Sequence, residues 1–244
     1  RSLLWPDPRT DPWLLVYSPV PVILIFAVYL VLVALGPRLM DKREAFTLRS
    51  VLLIYNLALV GLSAYMFYEV MCMAAPFPVH FPCWGPPVIP FCISLPQMAR
   101  VCWWFFFSKV IELLDTIFFI MRKKFNQISF LHVYHHATMI FNWWAGVKYV
   151  AGGQAFFIGM LNSFVHIFMY LYYGLAVLGP KVQKYLWWKR YLTLLQLTQF
   201  GAIALHSGYN LVTDCPFPDG FNAAVFAYIV SLIILFLNFY YQTY

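Results

Sequence analysis

A chain of 244 residues that is 63% hydrophobic and only 10% charged lies far from the soluble average of about 25% charged residues, which excludes an ordinary water-soluble globule. Its formal net charge of +7 is not in itself a sign of nucleic acid, because in so apolar a chain the placement of the bases between hydrophobic runs carries the information. The chain begins at Arg1 rather than Met and reads as trimmed, so a missing targeting signal carries no weight.

Apolar runs long enough to cross a hydrocarbon core of about 30 Å as helices recur along the whole length. Punctuated by Pro, Gly and charge, they predict seven spans, at roughly 18–35, 50–73, 99–121, 128–147, 154–178, 190–211 and 222–242. The expected fold is all-α, a single polytopic membrane domain over 1–244. The first connection carries Arg38, Lys42, Arg43 and Arg49, the third Arg122, Lys123 and Lys124, and the fifth Lys181, Lys184, Lys189 and Arg190. Residues 74–97 contain no Lys or Arg, the fourth connection holds Lys148 alone, and 212–221 holds only Asp214 and Asp219. By the positive-inside rule the basic connections are cytosolic, the N-terminus is non-cytosolic and the C-terminus cytosolic. Cys83 and Cys215 then fall together on the oxidising face, where a disulfide between them is expected and two free thiols are the alternative. Cys72, Cys92 and Cys102 read as small apolar fillers.

Ionisable side chains inside spans are expensive, and each is a functional candidate. The third span carries Lys109, Glu112 and Asp115, followed by Thr116, on an arc of about 120°. The fourth carries His132, His135 and His136 on an arc of about 100°. The fifth has Asn162, His166, Met169, Tyr170 and Tyr173 at helical spacing, and the sixth has Thr193, Gln196 and Gln199, with His206 further along. Such groups also join membrane helices, at roughly 0.6 kcal/mol per pair. That explanation serves for Thr193, Gln196 and Gln199 but poorly for three imidazoles beside Lys, Glu and Asp.

Two chemistries compete for the histidines. His-x-x-His-His is similar to a box of membrane di-iron desaturases, which resemble one another in using about eight histidines; this chain has six, one of them His80 in the 74–97 connection. A mononuclear site from His132, His135, His136 or His166 stays open. The other chemistry is covalent and acid/base, with a neutral imidazole attacking a thioester while a polar neighbour orients it. A seven-span receptor or lipid carrier is the non-enzymatic reading.

Four motifs in order, Lys109-x-x-Glu112-x-x-Asp115-Thr116, His132-Val-Tyr-His135-His136, His166-x-x-Met169-Tyr170-x-Tyr172-Tyr173 and Thr193-x-x-Gln196-x-x-Gln199, resemble the ELO family of very-long-chain fatty acid elongases over essentially the whole chain. The runs Val150 to Phe157, Leu186 to Tyr191 and Thr213 to Pro218 look closest to the subfamily acting on the longest acyl chains. The resemblance implies a seven-helix endoplasmic reticulum enzyme around an acyl-chain tunnel. It would condense long-chain acyl-CoA with malonyl-CoA to 3-oxoacyl-CoA, carbon dioxide and coenzyme A, without cofactor or metal. His135 would be the nucleophile and His166 its partner; His132 and His136 would position the thioester, and Asn162 and Lys109 would stabilise negative charge, with Asp115 and Glu112 as orienters. Arg122, Lys124, Gln127, Tyr170, Tyr172, Tyr173, Lys189, Thr193, Gln196 and Gln199 are the expected substrate and coenzyme A contacts. Expected partners are the two thioesters, membrane lipid, homo- or hetero-oligomers and the other elongation-cycle enzymes, and no nucleic acid.

Overall fold

The computed structural model describes residues 6–74, 95–151, 155–213 and 218–244. The expected Cys83–Cys215 disulfide, Cys92 and His80 lie outside the described residues. Within them the chain is helical and contains no strand: α1 (Pro19–Met40), α2 (Arg49–Ala74), α3 (Leu95–Glu112), α4 (Leu114–Met121), a 3₁₀ turn (Phe125–Gln127), α5 (Phe130–Tyr149), α6 (Ala155–Val177), the single turn α7 (Pro180–Gln183), α8 (Lys189–Val212) and α9 (Asp219–Thr243). Four of them, α1, α2, α6 and α9, are long and apolar enough to cross a membrane. In α1, Val20, Ile23, Leu24, Val28, Val31 and Leu35 are all exposed, and a helix apolar all round is one that faces lipid. The protein is a helical membrane protein. The predicted third span differs from the structure: it begins earlier, at Leu95, and is interrupted at Leu113, whose N–H bonds the carbonyl of Val110 at 3.3 Å. A tightened turn of this kind inside a helix marks a functional site in many proteins, and this one separates Glu112 from Asp115.

Local chemistry sets the helix starts. Ser18 Oγ accepts from the Val20 N–H at 3.2 Å with Pro19 at the first helical position, and Ser129 Oγ accepts from the His132 N–H at 3.2 Å, a cap that fixes where the histidine helix begins. The long helices alternate in direction. At one end the basic connections meet: Lys123 Nζ donates to the Asp41 carbonyl at 3.0 Å, Arg49 donates to the carbonyls of Val177 (3.1 Å) and Leu178 (3.2 Å), and Arg190 Nε donates to Tyr240 Oη at 2.7 Å. Arg49 thereby satisfies the carbonyls that end α6. It reaches them over Gly179, whose φ of 99° is open to glycine and whose missing side chain leaves room for the guanidinium.

At the opposite end, residues 6–18 lie across the C-terminus of α5 and take up its orphan carbonyls. The Asp7 N–H bonds the Lys148 carbonyl at 2.7 Å, Thr10 Oγ1 donates to the Val147 carbonyl at 2.6 Å, and Arg9 Nη2 donates to the Ala151 carbonyl at 3.0 Å. Lys148 is buried and paired with Asp11, while Trp144 Nε1 donates to Leu15 O at 3.1 Å.

Helix packing forms a ring: α3 contacts α5 and α6, α6 contacts α8, α8 contacts α9, and α9 returns to α5. Outside it α2 lies along α3 and α6, and α1 along α4 and α5. The α5–α9 seam is polar, with Tyr134 Oη and Ser231 Oγ 2.9 Å apart and Thr138 Oγ1 donating to Tyr228 Oη at 3.0 Å.

The N-terminal segment carries a pH signature. Burial pushes the Asp7 carboxyl up, but the side-chain and backbone hydrogen bonds from Arg9 outweigh it and hold the group below its ordinary value. A depressed folded value means stabilisation that is complete above the unfolded value of about 4 and lost as pH falls through the folded one. Asp7→Asn is expected to lower stability at pH 7 by about 0.5–1 kcal/mol, in the range of part-exposed ion pairs. The gap from the wild type should close as the pH is lowered below about 4, read by thermal unfolding across a pH series.

Candidate active site

The expensive polar residues predicted on separate helices converge inside the ring. Lys109 on α3 is 2% exposed; its Nζ donates to Glu112 Oε1 at 2.7 Å and to Asn162 Oδ1 of α6 at 2.9 Å, and lies 3.5 Å from His166 Nδ1. His166 Nδ1 is also 3.3 Å from Glu112 Oε1, so one carboxylate oxygen faces both the ammonium and the imidazole. Ser108 Oγ donates to the Phe105 carbonyl at 2.8 Å and sits 3.4 Å from Glu112 Oε1, and the ammonium stacks over the Phe105 ring at 4.5 Å. Lys109 Nζ and Glu112 Oε1 are thereby held by several polar neighbours, the condition under which such a pair survives desolvation.

Past the interruption at Leu113, Asp115 accepts from Tyr170 Oη at 3.0 Å. Thr116 Oγ1 stands 2.7 Å from His132 Nε2 and 3.2 Å from Tyr29 Oη, so one hydroxyl holds His132 and is itself held from α1. The imidazoles pack in a chain, His132 tilted against His136 at 4.3 Å and His135 edge-on to His136 at 5.4 Å between centroids, with Phe119 5.3 Å from His132. Among the described residues no three His, Cys, Asp or Glu side chains converge as metal ligands do.

Two cavities open from this centre. One, of about 210 Å³, is polar: Glu112, Asp115, His132, His135, His136 and His166 line it, together with Asn162, Tyr172, Tyr173, Lys189, Thr193, Gln196 and Gln199, and Ser129. The other, of about 190 Å³, is apolar and runs toward the opposite end between α5, α8 and α9, past Met139, Trp143, Ile203, Val225 and Ile229. His135, Asn162, Gln199 and Phe200 border both, so the two adjoin at these four residues.

The structure therefore gathers all eight expected catalytic residues and most of the expected contacts. Lys109 stands behind the cavity wall on Glu112 and Asn162, and Tyr170 is fully buried on Asp115. Arg122, Lys124 and Gln127 do not line either cavity: Lys124 and Gln127 are exposed on the basic end, and the turn beside them is wound by Lys123 at φ 54°. Sequence reasoning missed Tyr29, Ser108 and Ser129 as supports, and although it expected an acyl-chain tunnel it named none of the apolar residues that line the second chamber. Ser129 could have been read as a helix cap, three residues before His132.

A helical membrane protein whose polar centre holds four histidines against a buried lysine–glutamate pair is a narrow class. Residues 14–244 match the family model described as ELO: GNS1/SUR4 family. Among curated relatives, very long chain fatty acid elongase 4 of Homo sapiens is 50% identical over 240 residues, covering 98% of this chain and 76% of the relative. Elongase 7 of Drosophila melanogaster is 46% identical over 249 residues, covering 98% and 73%, and elongase 5 of Rattus norvegicus is 44% identical over 245 residues, covering 100% and 81%. The chain belongs to the ELO family.

Breaking a buried pair by removing one partner leaves an uncompensated charge and costs about 3–5 kcal/mol. Lys109→Met and Glu112→Gln are each expected to destabilise the detergent-solubilised protein on that scale. Lys109→Met combined with Glu112→Gln should cost clearly less than the sum, a coupling measured by a double-mutant cycle on thermal unfolding.

Proposed function

We propose that this protein is a fatty acid elongase that condenses a long-chain or very-long-chain acyl-CoA with malonyl-CoA. The observation that carries this reading is the position of His135, one of four residues that border both a polar chamber and an apolar chamber. A thioester carbonyl is the part of acyl-CoA that belongs at such a junction, with its hydrocarbon on the apolar side and its pantetheine on the polar side. The curated relatives named as very long chain fatty acid elongases support the same class.

In the proposed reaction a neutral ring nitrogen of His135 attacks the thioester carbon. The C–S bond breaks, the coenzyme A thiolate leaves and takes up the proton lost by the imidazole, and an acyl-imidazole remains. Malonyl-CoA then enters the polar chamber; its C–C bond to the carboxylate breaks, releasing carbon dioxide, and the enolate attacks the acyl-imidazole carbon. Collapse expels the His135 nitrogen, which takes up one proton from water to restore the neutral imidazole, and leaves 3-oxoacyl-CoA. Asn162 and His166 border the junction, where their N–H groups stabilise oxyanion and enolate charge. Lys109 acts from behind by fixing the side-chain amide of Asn162 and the ring of His166, and Thr116 sets the ring of His132. His136 packs between the rings of His132 and His135. Glu112 and Asp115 orient Lys109 and Tyr170.

Seven spans follow if α3 with α4, α5 and α8 cross the bilayer beside the four more apolar helices. The three are less apolar because they carry much of the site. The basic end is then cytosolic, the N-terminus non-cytosolic, and the membrane that of the endoplasmic reticulum. Lys189, beside the polar chamber, contacts the phosphates of coenzyme A, and Arg122, Lys124 and Gln127 serve it from the rim. The apolar chamber is the near part of the acyl tunnel.

Protein given acyl-CoA alone is expected to gain the mass of one acyl group, measured on the intact chain. His135→Ala should abolish the adduct and lower condensation by roughly 10⁴-fold, with product followed from labelled malonyl-CoA. An adduct that survives His135→Ala would move the nucleophile elsewhere.

A further inference from the structure

Helix α1 faces lipid along most of its length, yet it contributes one hydroxyl to the polar centre. Between Pro19 and Arg38 its only polar side chain is Tyr29, which is buried and whose Oη lies 3.2 Å from Thr116 Oγ1. Thr116 Oγ1 in turn lies 2.7 Å from His132 Nε2. Three groups in a row thus share two hydrogen bonds, and counting protons fixes their direction. A phenol has one proton to give, and among the described residues the hydrogen-bonding partner of Tyr29 is Thr116. Turned away from it, that proton would be a buried donor left unsatisfied, at a cost of about 1–3 kcal/mol. Tyr29 therefore donates, Thr116 accepts, and the threonine's own proton is left for the next acceptor. Threonines elsewhere in the helices give that proton to their own backbone: Thr138, Thr193 and Thr198 each donate to the carbonyl four residues earlier. For Thr116 that carbonyl belongs to Glu112, where α3 ends at the interruption, and the hydroxyl turns to side chains instead. His132 Nε2 is then an acceptor, which places the proton of the neutral ring on Nδ1. His132 lines the polar chamber and not the apolar one. With Nε2 held by Thr116, Nδ1 is the ring nitrogen left for whatever the polar chamber contains.

We propose that Tyr29, acting through Thr116, is a positioning residue that locks His132 in its Nδ1–H tautomer, so that His132 meets the substrate as a hydrogen-bond donor and not as a base. In the condensation proposed above, on which this inference rests, the donor serves the malonyl thioester in the polar chamber. When carbon dioxide leaves, the negative charge of the enolate gathers on the thioester oxygen, and a fixed N–H stabilises that oxygen without reorganisation. No proton changes hands at His132. With the chain of hydrogen bonds reversed, the ring would present a bare lone pair to a carboxylate and an enolate, and would repel both.

The tautomer is read from nitrogen NMR spectra of the full chain carrying isotopically labelled histidine, with the His132 signals identified by their absence from His132→Asn or His132→Gln. In the wild type the proton should reside on Nδ1. Tyr29→Phe keeps the ring and removes the hydroxyl; it should spread the proton over both nitrogens and lower kcat for condensation about tenfold, with the acyl adduct on His135 still formed from acyl-CoA alone. His132→Asn, whose amide nitrogen stands in for Nδ1–H, should retain more condensation than His132→Gln, whose amide falls near the place of Nε2. A wild-type proton on Nε2, a tautomer unmoved by Tyr29→Phe, or His132→Gln at least as active as His132→Asn would overturn the proposal. The wild-type spectrum decides the tautomer even if Tyr29→Phe does not fold. A proton on Nδ1 that moves in Tyr29→Phe, in a protein that condenses nothing, would uphold the lock on His132 and sink the elongase reading.

Discussion

An ammonium and a carboxylate sharing the inside of a membrane helix bundle set the terms for everything around them. Taking Lys109 and Glu112 out of water costs several kcal/mol per ion, and only dense, well-directed hydrogen bonding offsets that. Asn162, His166, Ser108 and the Phe105 ring supply it. They come from two helices, α3 and α6, so the pair fixes how those helices are rotated about their own axes. Once that rotation is set, His166 faces the ring interior, Asp115 meets Tyr170, and Thr116 is presented to His132. The histidines are positioned by a lattice of polar contacts whose removal would leave charge stranded in an apolar medium.

Much of this was legible in the sequence because membranes make polarity conspicuous. Hydropathy located every long helix to within a few residues, and the helical spacing of Lys109, Glu112 and Asp115, of the histidines, and of Asn162 with His166 placed each set on one face. What hydropathy could not show is how faces from different helices meet. Charge and proximity in sequence mark Arg122, Lys124 and Gln127 as coenzyme A contacts, but they do not show that the turn through Lys123 leaves these residues outside the lining of the two cavities. The interruption at Leu113 falls in an apolar residue with no Gly or Pro to announce it. The apolar chamber is made of ordinary core residues, such as Ile203 and Ile229, whose sequence pattern is the same whether they enclose a space or fill it. Tyr29 is a single hydroxyl in the most apolar helix, and its partner Thr116 is distant in the chain.

The two chambers divide their chemistry as the helices divide their composition. α9 is among the most apolar helices, gives the apolar chamber most of one wall and reaches the polar one with Phe236 and Phe239, while α8 borders both with Thr193, Gln196 and Gln199 near its basic end and Ile203 beyond. A gradient along one helix from polar to apolar is the arrangement an amphiphile needs, head toward one end and tail toward the other.

The clasp at the far end of α5 bears on how the molecule is assembled. Thr10 and Val147, joined by a hydrogen bond, are separated by 137 positions, and the segment that caps α5 is made long before α5 exists. During synthesis residues 6–18 wait with their polar groups in water, α1 already anchoring them near the bilayer surface, until the last carbonyls of α5 arrive beside them. Holding one end of the contact in place keeps the search local, so closing this long loop adds little entropy beyond that already spent on inserting α1. A segment made before α1 thus becomes among the last to settle, and its docking signals that the histidine helix has come to rest in the ring.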